Sequence, residues 1–148
     1  MPNAESYHYS GRKTVIALAS NLEAGVALNV AAHLSIALGA HAEPGLMGRR
    51  WLVDGSAVRH AGISRYNVVI TKVKQGRLRQ LLSEARELPD GDLFLADFPE
   101  QMLSTGHDDE LASALADVAE SDLAYLGVLV HGPADPVKAL TGRFMLWR

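Results

Sequence analysis

KTVIALASNLEAGVALNVAAHLSIALGA, residues 13–40, reads as a buried strand followed at once by a buried helix. Residues 14–19 (TVIALA) are β-branched or apolar throughout, the pattern of a strand covered on both faces. Ser20 and Asn21 then offer N-caps, and Glu23 places a negative charge where a helix dipole favours it. Residues 24–38 (AGVALNVAAHLSIAL) are alanine-rich and apolar on most faces, so the helix should pack closely between layers. Gly39 predicts its end as a C′ glycine.

Outward from this unit the same alternation continues. Residues 66–73 (YNVVITKV) predict a second strand, and residues 75–88 a helix with Leu78, Leu81, Leu82, Ala85 and Leu88 on one face. Pro89-Asp90-Gly91 predicts a turn and residues 92–96 (DLFLA) a third strand. After a polar loop containing Pro99 and Gly106, Asp108, Asp109 and Glu110 open a third helix carrying Leu111, Leu115 and Val118. Residues 123–130 (LAYLGVLV) are the fourth strand, Gly132-Pro133 turns the chain, residues 136–140 make one helical turn and residues 144–147 a short terminal strand. The expectation is an α/β fold of three layers, α/β/α, around a mixed, mostly parallel sheet of four to five strands. Residues 40–66 are too long for a structureless loop in a compact domain. Asp54-Gly55 resolves this as a two-residue hairpin turn, giving a hairpin or flap at 48–62. The organisation expected is a polar N-terminal arm at 1–12 and a single domain at 13–148.

The 148 residues suit one domain, which usually runs roughly 100 to 200 residues. The chain is 48% hydrophobic and 21% charged, enough to bury a core. With no cysteine there is no disulfide, thiolate nucleophile or cysteine-held metal, and a cytoplasmic setting is the default expectation. No membrane segment is expected, because the apolar run at 24–40 is broken by Asn29, His33 and Ser35. A net charge of -3 has the wrong sign for a general phosphate-backbone binder, so nucleic acid is not the expected partner. Charge is nevertheless divided. Residues 49–79 carry eight Lys or Arg and one acid, whereas residues 84–122 carry twelve acids and one base. Either neighbouring elements interleave and neutralise one another, or the basic half holds an anion site. The six histidines show no metal-ligand spacing, and no phosphate loop, dinucleotide glycine signature or nucleophile elbow is present. No metal and no cofactor are expected.

The opening unit, with Gly25 and His33, is similar to the strand, loop and Ala-rich helix with a histidine found in the type 2 peptidyl-tRNA hydrolases. The C-terminal HGPADPVKALTGRFMLW, with Gly132, Pro133, Val137, Thr141 and Gly142, resembles their Gly-Pro, Asp-containing turn, Thr-Gly and final strand. Residues 51–64, with Asp54-Gly55 and His60-Ala61-Gly62, instead resemble a domain-of-unknown-function family that shares the hydrolases' fold. The resemblance spans roughly residues 13–147 and implies that fold for this chain. It also marks a loss: the lysine that follows the hydrolases' helix-opening glycine is Val26 here. Valine supplies no charge for a phosphate or an oxyanion. The hydrolases' Asp-Ala-Gly-x-Thr segment is best matched by Asp97-Phe98-Pro99, which keeps the acid and loses the threonine.

The candidate catalytic residues are therefore Asp97 and His33. Asp97 ends the third strand, where open α/β sheets bind ligands, or else is a turn-former. His33 is an acid or base aimed into a cleft, or else a buried histidine bonded to backbone. Asn29, one helical turn earlier, shares its face. Gly25, Asn29, Gly132, Pro133, Thr141 and Gly142 are the candidate cleft wall, with Trp51 and Asp54 on a flap above the first helix. The leading expectation is a small-molecule-binding protein or a diverged hydrolase acting on an ester or amide. A homodimeric interaction module is one alternative, with a second copy as the expected partner. A residual peptidyl-tRNA hydrolase, its cation moved to Lys72, Lys74 or Arg143, is the other.

Overall fold

The computed structural model describes residues 11–41, 45–89 and 92–148. Residues 1–10 of the expected arm, and Asp90 and Gly91 of the expected turn, lie outside the described residues. In chain order the elements are β1 (Arg12–Ala19), α1 (Ala24–His41), β2 (Trp51–Val53), β3 (Arg59–Ala61), β4 (Val68–Val73) and α2 (Gln75–Arg86). They continue with β5 (Phe94–Pro99), α3 (Gln101–Ser104), α4 (Asp108–Ala116), a 3-10 turn at Glu120–Asp122, β6 (Tyr125–Pro133), α5 (Ala134–Thr141) and β7 (Met145–Leu146).

Five strands form one sheet in the order β5-β6-β1-β4-β7. Only β1 and β4 pair in parallel, Thr14 opposite Val68 and Ala19 opposite Val73, while β1 with β6, β5 with β6 and β4 with β7 are antiparallel. The sheet is mixed, as expected, but not mostly parallel. β1, β4 and β5 do point one way; β6 slots between β5 and β1 in the other direction, and periodicity cannot read neighbour order.

Strand alternation splits the core into two. Ile16 and Leu18 of β1 pack beneath α1 with Val30, Leu34 and Leu38. Val15, Ala17 and Ala19 pack on the other side with Leu78, Leu81 and Leu82 of α2 and Val137 of α5. The layers are thus α1, the sheet, then α2 with α5. α1 sits so close to β6 that a Cβ on Gly127 would lie 2.6 Å from Val30 Cγ1 and 3.1 Å from Leu34 Cδ1. A glycine in mid-strand, normally unfavourable, is the condition for this layer spacing. Among the described residues α1 alone is long and apolar enough to cross a membrane, yet five of its side chains are buried as in a core helix.

α1 runs through Gly39 to His41, because a glycine stops a helix only by turning left-handed and Gly39 does not. The hairpin exists, but its loop spans residues 54–58 rather than two residues. The Asp54 carboxylate accepts from the N–H groups of Ser56 and Val58 at 2.8 and 3.0 Å, and Ala57, at φ 64°, takes the left-handed position. β5 begins at Phe94 and keeps Pro99, which an edge strand tolerates. A short α3 occupies part of the expected loop, and α2 stops at Arg86, before Leu88. Gly132-Pro133 ends β6 instead of turning, and α5 makes two turns rather than one.

Candidate functional site

The two candidate catalytic residues lie on opposite faces of the sheet. His33 is exposed on the α1 side, its ring 5.8 Å from that of Phe98. It is not the buried histidine considered above, because the residues α1 buries (Ala27, Val30, Ala31, Leu34 and Leu38) leave position 33 turned outward. Asn29 and Gly25 are exposed on the same helix. Asp97 lies within β5, not in a turn, and reaches toward α2, where Arg86 Nη2 stands 3.7 Å from its Oδ2. Gly132 and Pro133 pair with Lys13 and Arg12 at the amino end of β1. Thr141 is buried, its hydroxyl donating to Val137 O at 2.7 Å, and Gly142 caps α5. Trp51 and Asp54 stand on the exposed hairpin; Arg59 lies over the Trp51 ring at 4.4 Å, and His60 Nε2 is 2.9 Å from Asp54 Oδ2. That pairing, with the two backbone N–H bonds, holds the Asp54 carboxyl below its usual range. The wall expected from residues 22–29, Asp97 and residues 132–142 is therefore not brought together.

Two polar networks tie side chains to one another within the chain. At the amino end of β1, buried His131 has Nδ1 2.8 Å from Thr14 Oγ1, and Arg12 Nε donates to its Nε2 at 3.5 Å. An acceptor at Nε2 leaves the ring proton on Nδ1, donated to Thr14. Arg12 also pairs with Asp92 at 3.4 Å. Beside the start of β6, Glu120 accepts from Arg79 Nη1 at 2.7 Å and from the Tyr125 hydroxyl at 2.9 Å. Arg79 also donates to the carbonyls of Glu120 and Leu123. Burial raises the Asp97 carboxyl above its ordinary value, with Arg86 opposing and Glu120 adding to the rise. Burial and the bond to Glu120 raise the Tyr125 hydroxyl likewise. These groups already have partners inside the chain.

The carboxyl ends of β1 and β4 are different. Both strands end level, Ala19 beside Val73, and Ser20 N donates to Val73 O at 2.7 Å. The chain then leaves β1 for the α1 face and β4 for the α2 face. Such divergence opens a crevice, the usual place for a ligand in an open α/β sheet. Here it is a cleft of about 410 Å³ lined by Ser20, Lys72, Val73, Lys74, Arg77, Arg143, Phe144 and Met145. β7 builds one wall by pairing Met145 with Lys72, and Arg77 lies over the Phe144 ring at 5.9 Å. Four cations from two stretches of chain meet here, with no acid among the described residues of the lining. Among the described residues none of the four has an ion-pair partner. Like charges so gathered raise the local potential and favour an anion.

Of these residues, Lys72, Lys74 and Arg143 were expected as displaced cations; Ser20, Arg77 and Phe144 were not. The basic block at 49–79 carries the signal for Lys72, Lys74 and Arg77, and the strand end they surround is that of β4, not that of β5 with Asp97. The two charge blocks do not neutralise one another broadly: among the described residues, Arg79 with Glu120 is the ion pair that joins them. No three His, Asp or Glu side chains among the described residues converge to hold a metal ion.

No curated protein matches the sequence. Among solved structures the fold is similar to that of a protein of unknown function from Agrobacterium tumefaciens strain C58, with a TM-score of 0.82 and 21% identity over 93% of this chain and 98% of that one. At that identity the likeness speaks for the fold alone, but a family model matches from Arg12 to the last residue, over residues 12–148. The chain belongs to the DUF2000 family, described as proteins of unknown function.

Proposed function

We propose that this protein binds a small anionic molecule in the cleft at the carboxyl ends of β1 and β4, on a scaffold akin to that of the type 2 peptidyl-tRNA hydrolases. The observation that carries the reading is the convergence of Lys72, Lys74, Arg77 and Arg143, with no carboxylate beside them among the described residues. A volume of about 410 Å³ suits a small metabolite, since such sites span roughly 300–1,000 Å³. In this reading the charge that Val26 no longer supplies at the opening of α1 is supplied from β4, α2 and the segment before β7. Binding is the activity proposed, since what the described residues gather around Ser20 is a set of cations suited to hold an anion.

The test is titration calorimetry with a panel of small carboxylates, sulfates and phosphates against the protein and Lys72→Glu/Arg143→Glu. Binding by at least one class, reduced tenfold or more in the double variant, supports the reading; no heat from any class sinks it.

A second reading, a homodimer, is favoured by the uncovered apolar face of α1, where Leu28 and Ile36 are 71% and 67% exposed. The hairpin adds exposed Val53 and Val58, and the chain just after it Ile63. Isolated two-stranded hairpins are marginal in water. A second copy, whose α1 offers the same apolar face, would cover these surfaces symmetrically. Light scattering at micromolar concentration tests it, and a monomer there would end it.

A further inference from the structure

We infer that the ligand of this cleft is a phosphate monoester, its dianionic head at the start of α2 and its organic part against Phe144 and Met145. The inference rests on the anion-binding reading above and names the chemical class. The cleft is divided. Val73, Phe144 and Met145 form an apolar wall, while Lys72, Lys74, Arg77 and Arg143 supply charge, so a bare inorganic anion would leave the wall unused.

α2 opens into the charged part in an unusual way. Its N-cap is Lys74, no side chain caps it, and its first turn carries no acid. Arg77 N turns back to Lys74 O at 2.9 Å, and the N–H groups of Gln75 and Gly76 have no side-chain acceptor among the described residues. Helix N-termini ordinarily hold acids, because their free N–H groups and the dipole both attract negative charge. Here two cations, Lys74 and Arg77, sit where the helix field repels them. A group with several acceptor oxygens and two negative charges answers the cations and the N–H groups together. A single carboxylate or sulfate monoester brings one charge. Gly76 adds room: a Cβ there would meet nothing within 4 Å, so the backbone lies open to an approaching head group.

Among the described residues no histidine, aspartate or glutamate lines the cleft, so between pH 5.5 and 7.5 the group that titrates is the phosphate itself, whose second pKa is about 6. Phenyl phosphate, phenyl sulfate and benzoate, titrated calorimetrically at both pH values, separate the possibilities. Phenyl phosphate is expected to bind at least tenfold tighter than the other two at pH 7.5 and to lose severalfold of that advantage at pH 5.5. Gln75→Pro removes one N–H at a position where proline suits a helix, after a residue already extended at φ -61° and ψ 141°. It is expected to keep the thermal transition and to weaken phenyl phosphate severalfold, with little change for benzoate. Equal or tighter binding of phenyl sulfate or benzoate would overturn the phosphate assignment and leave the anion cleft standing. Failure of all three, with no difference between the protein and Lys72→Glu/Arg143→Glu, would remove both.

Discussion

Both ends of β1 gather cations, and the fold treats them in opposite ways. At the amino end Arg12 meets Asp92 and the ring of His131, which is itself bonded to Thr14. At the carboxyl end Lys72, Lys74, Arg77 and Arg143 face one cleft without a counter-charge among the described residues. α2 repeats the contrast along its own length. Arg79 and Arg86, further along, reach Glu120 and Asp97, whereas Lys74 and Arg77 at its start reach no acid among the described residues. Cations suit the end of a helix and oppose its beginning. Where local physics is obeyed the charges hold the fold together. Where it is disobeyed, stability is given up, and such exceptions collect at sites of function.

The contrast breaks first at the closed end. His131→Ala should destabilise the protein by about 2–4 kcal/mol, through the cavity left and the Thr14 hydroxyl stranded without its partner. Anion binding at the other end should stay within twofold, since these residues share no wall with the cleft. Denaturant melts and calorimetry on the same variant check both halves. Equal losses of stability and binding would mean that the two ends act as one unit.

At the open end the sign reverses. Lys74→Asp should raise stability by about 1 kcal/mol, because an acid at an extended N-cap can accept from the free N–H groups and suits the dipole. The same change should abolish anion binding. Lys72→Glu/Arg143→Glu should be neutral to about 0.5 kcal/mol stabilising, as charges outside the core contribute little. A loss of 2 kcal/mol or more in either variant would show the cations to be structural, with partners not yet counted.

This division also explains what could be read in the sequence. Strand and helix identities were legible because apolar runs such as residues 14–19 and the face Leu78, Leu81, Leu82, Ala85 record burial directly. Sheet order was not. The antiparallel β6 lies between two strands that point the other way, a relation with no local signature. The cleft suffered the same loss: Ser20, Lys72 to Arg77 and Arg143 to Met145 come from three distant stretches joined by β1–β4 and β4–β7 pairing. His33 and Asp97 stood out as isolated polar residues in apolar runs, but the side of the sheet each takes depends on helical phase and strand register. His131, the buried histidine among the described residues, was hidden because it follows LGVLV as one more residue of a covered strand.

The smallest effect concerns Asp97, which sits between the two regimes, two-thirds covered and loosely paired with Arg86. Its carboxyl is raised in the fold, so between the unfolded value and the folded one the native state holds the extra proton. Stability linked to this group is therefore complete below the unfolded value, near pH 4, and falls as pH rises through the folded value. Asp97→Asn, which cannot ionise, should melt slightly above the parent protein at pH 7, with the gap closing as pH drops toward 4. If the variant instead melts lower at pH 7, the attraction to Arg86 outweighs the cost of burial. Asp97 would then belong with the paired charges that hold the fold together, as Glu120 does with Arg79.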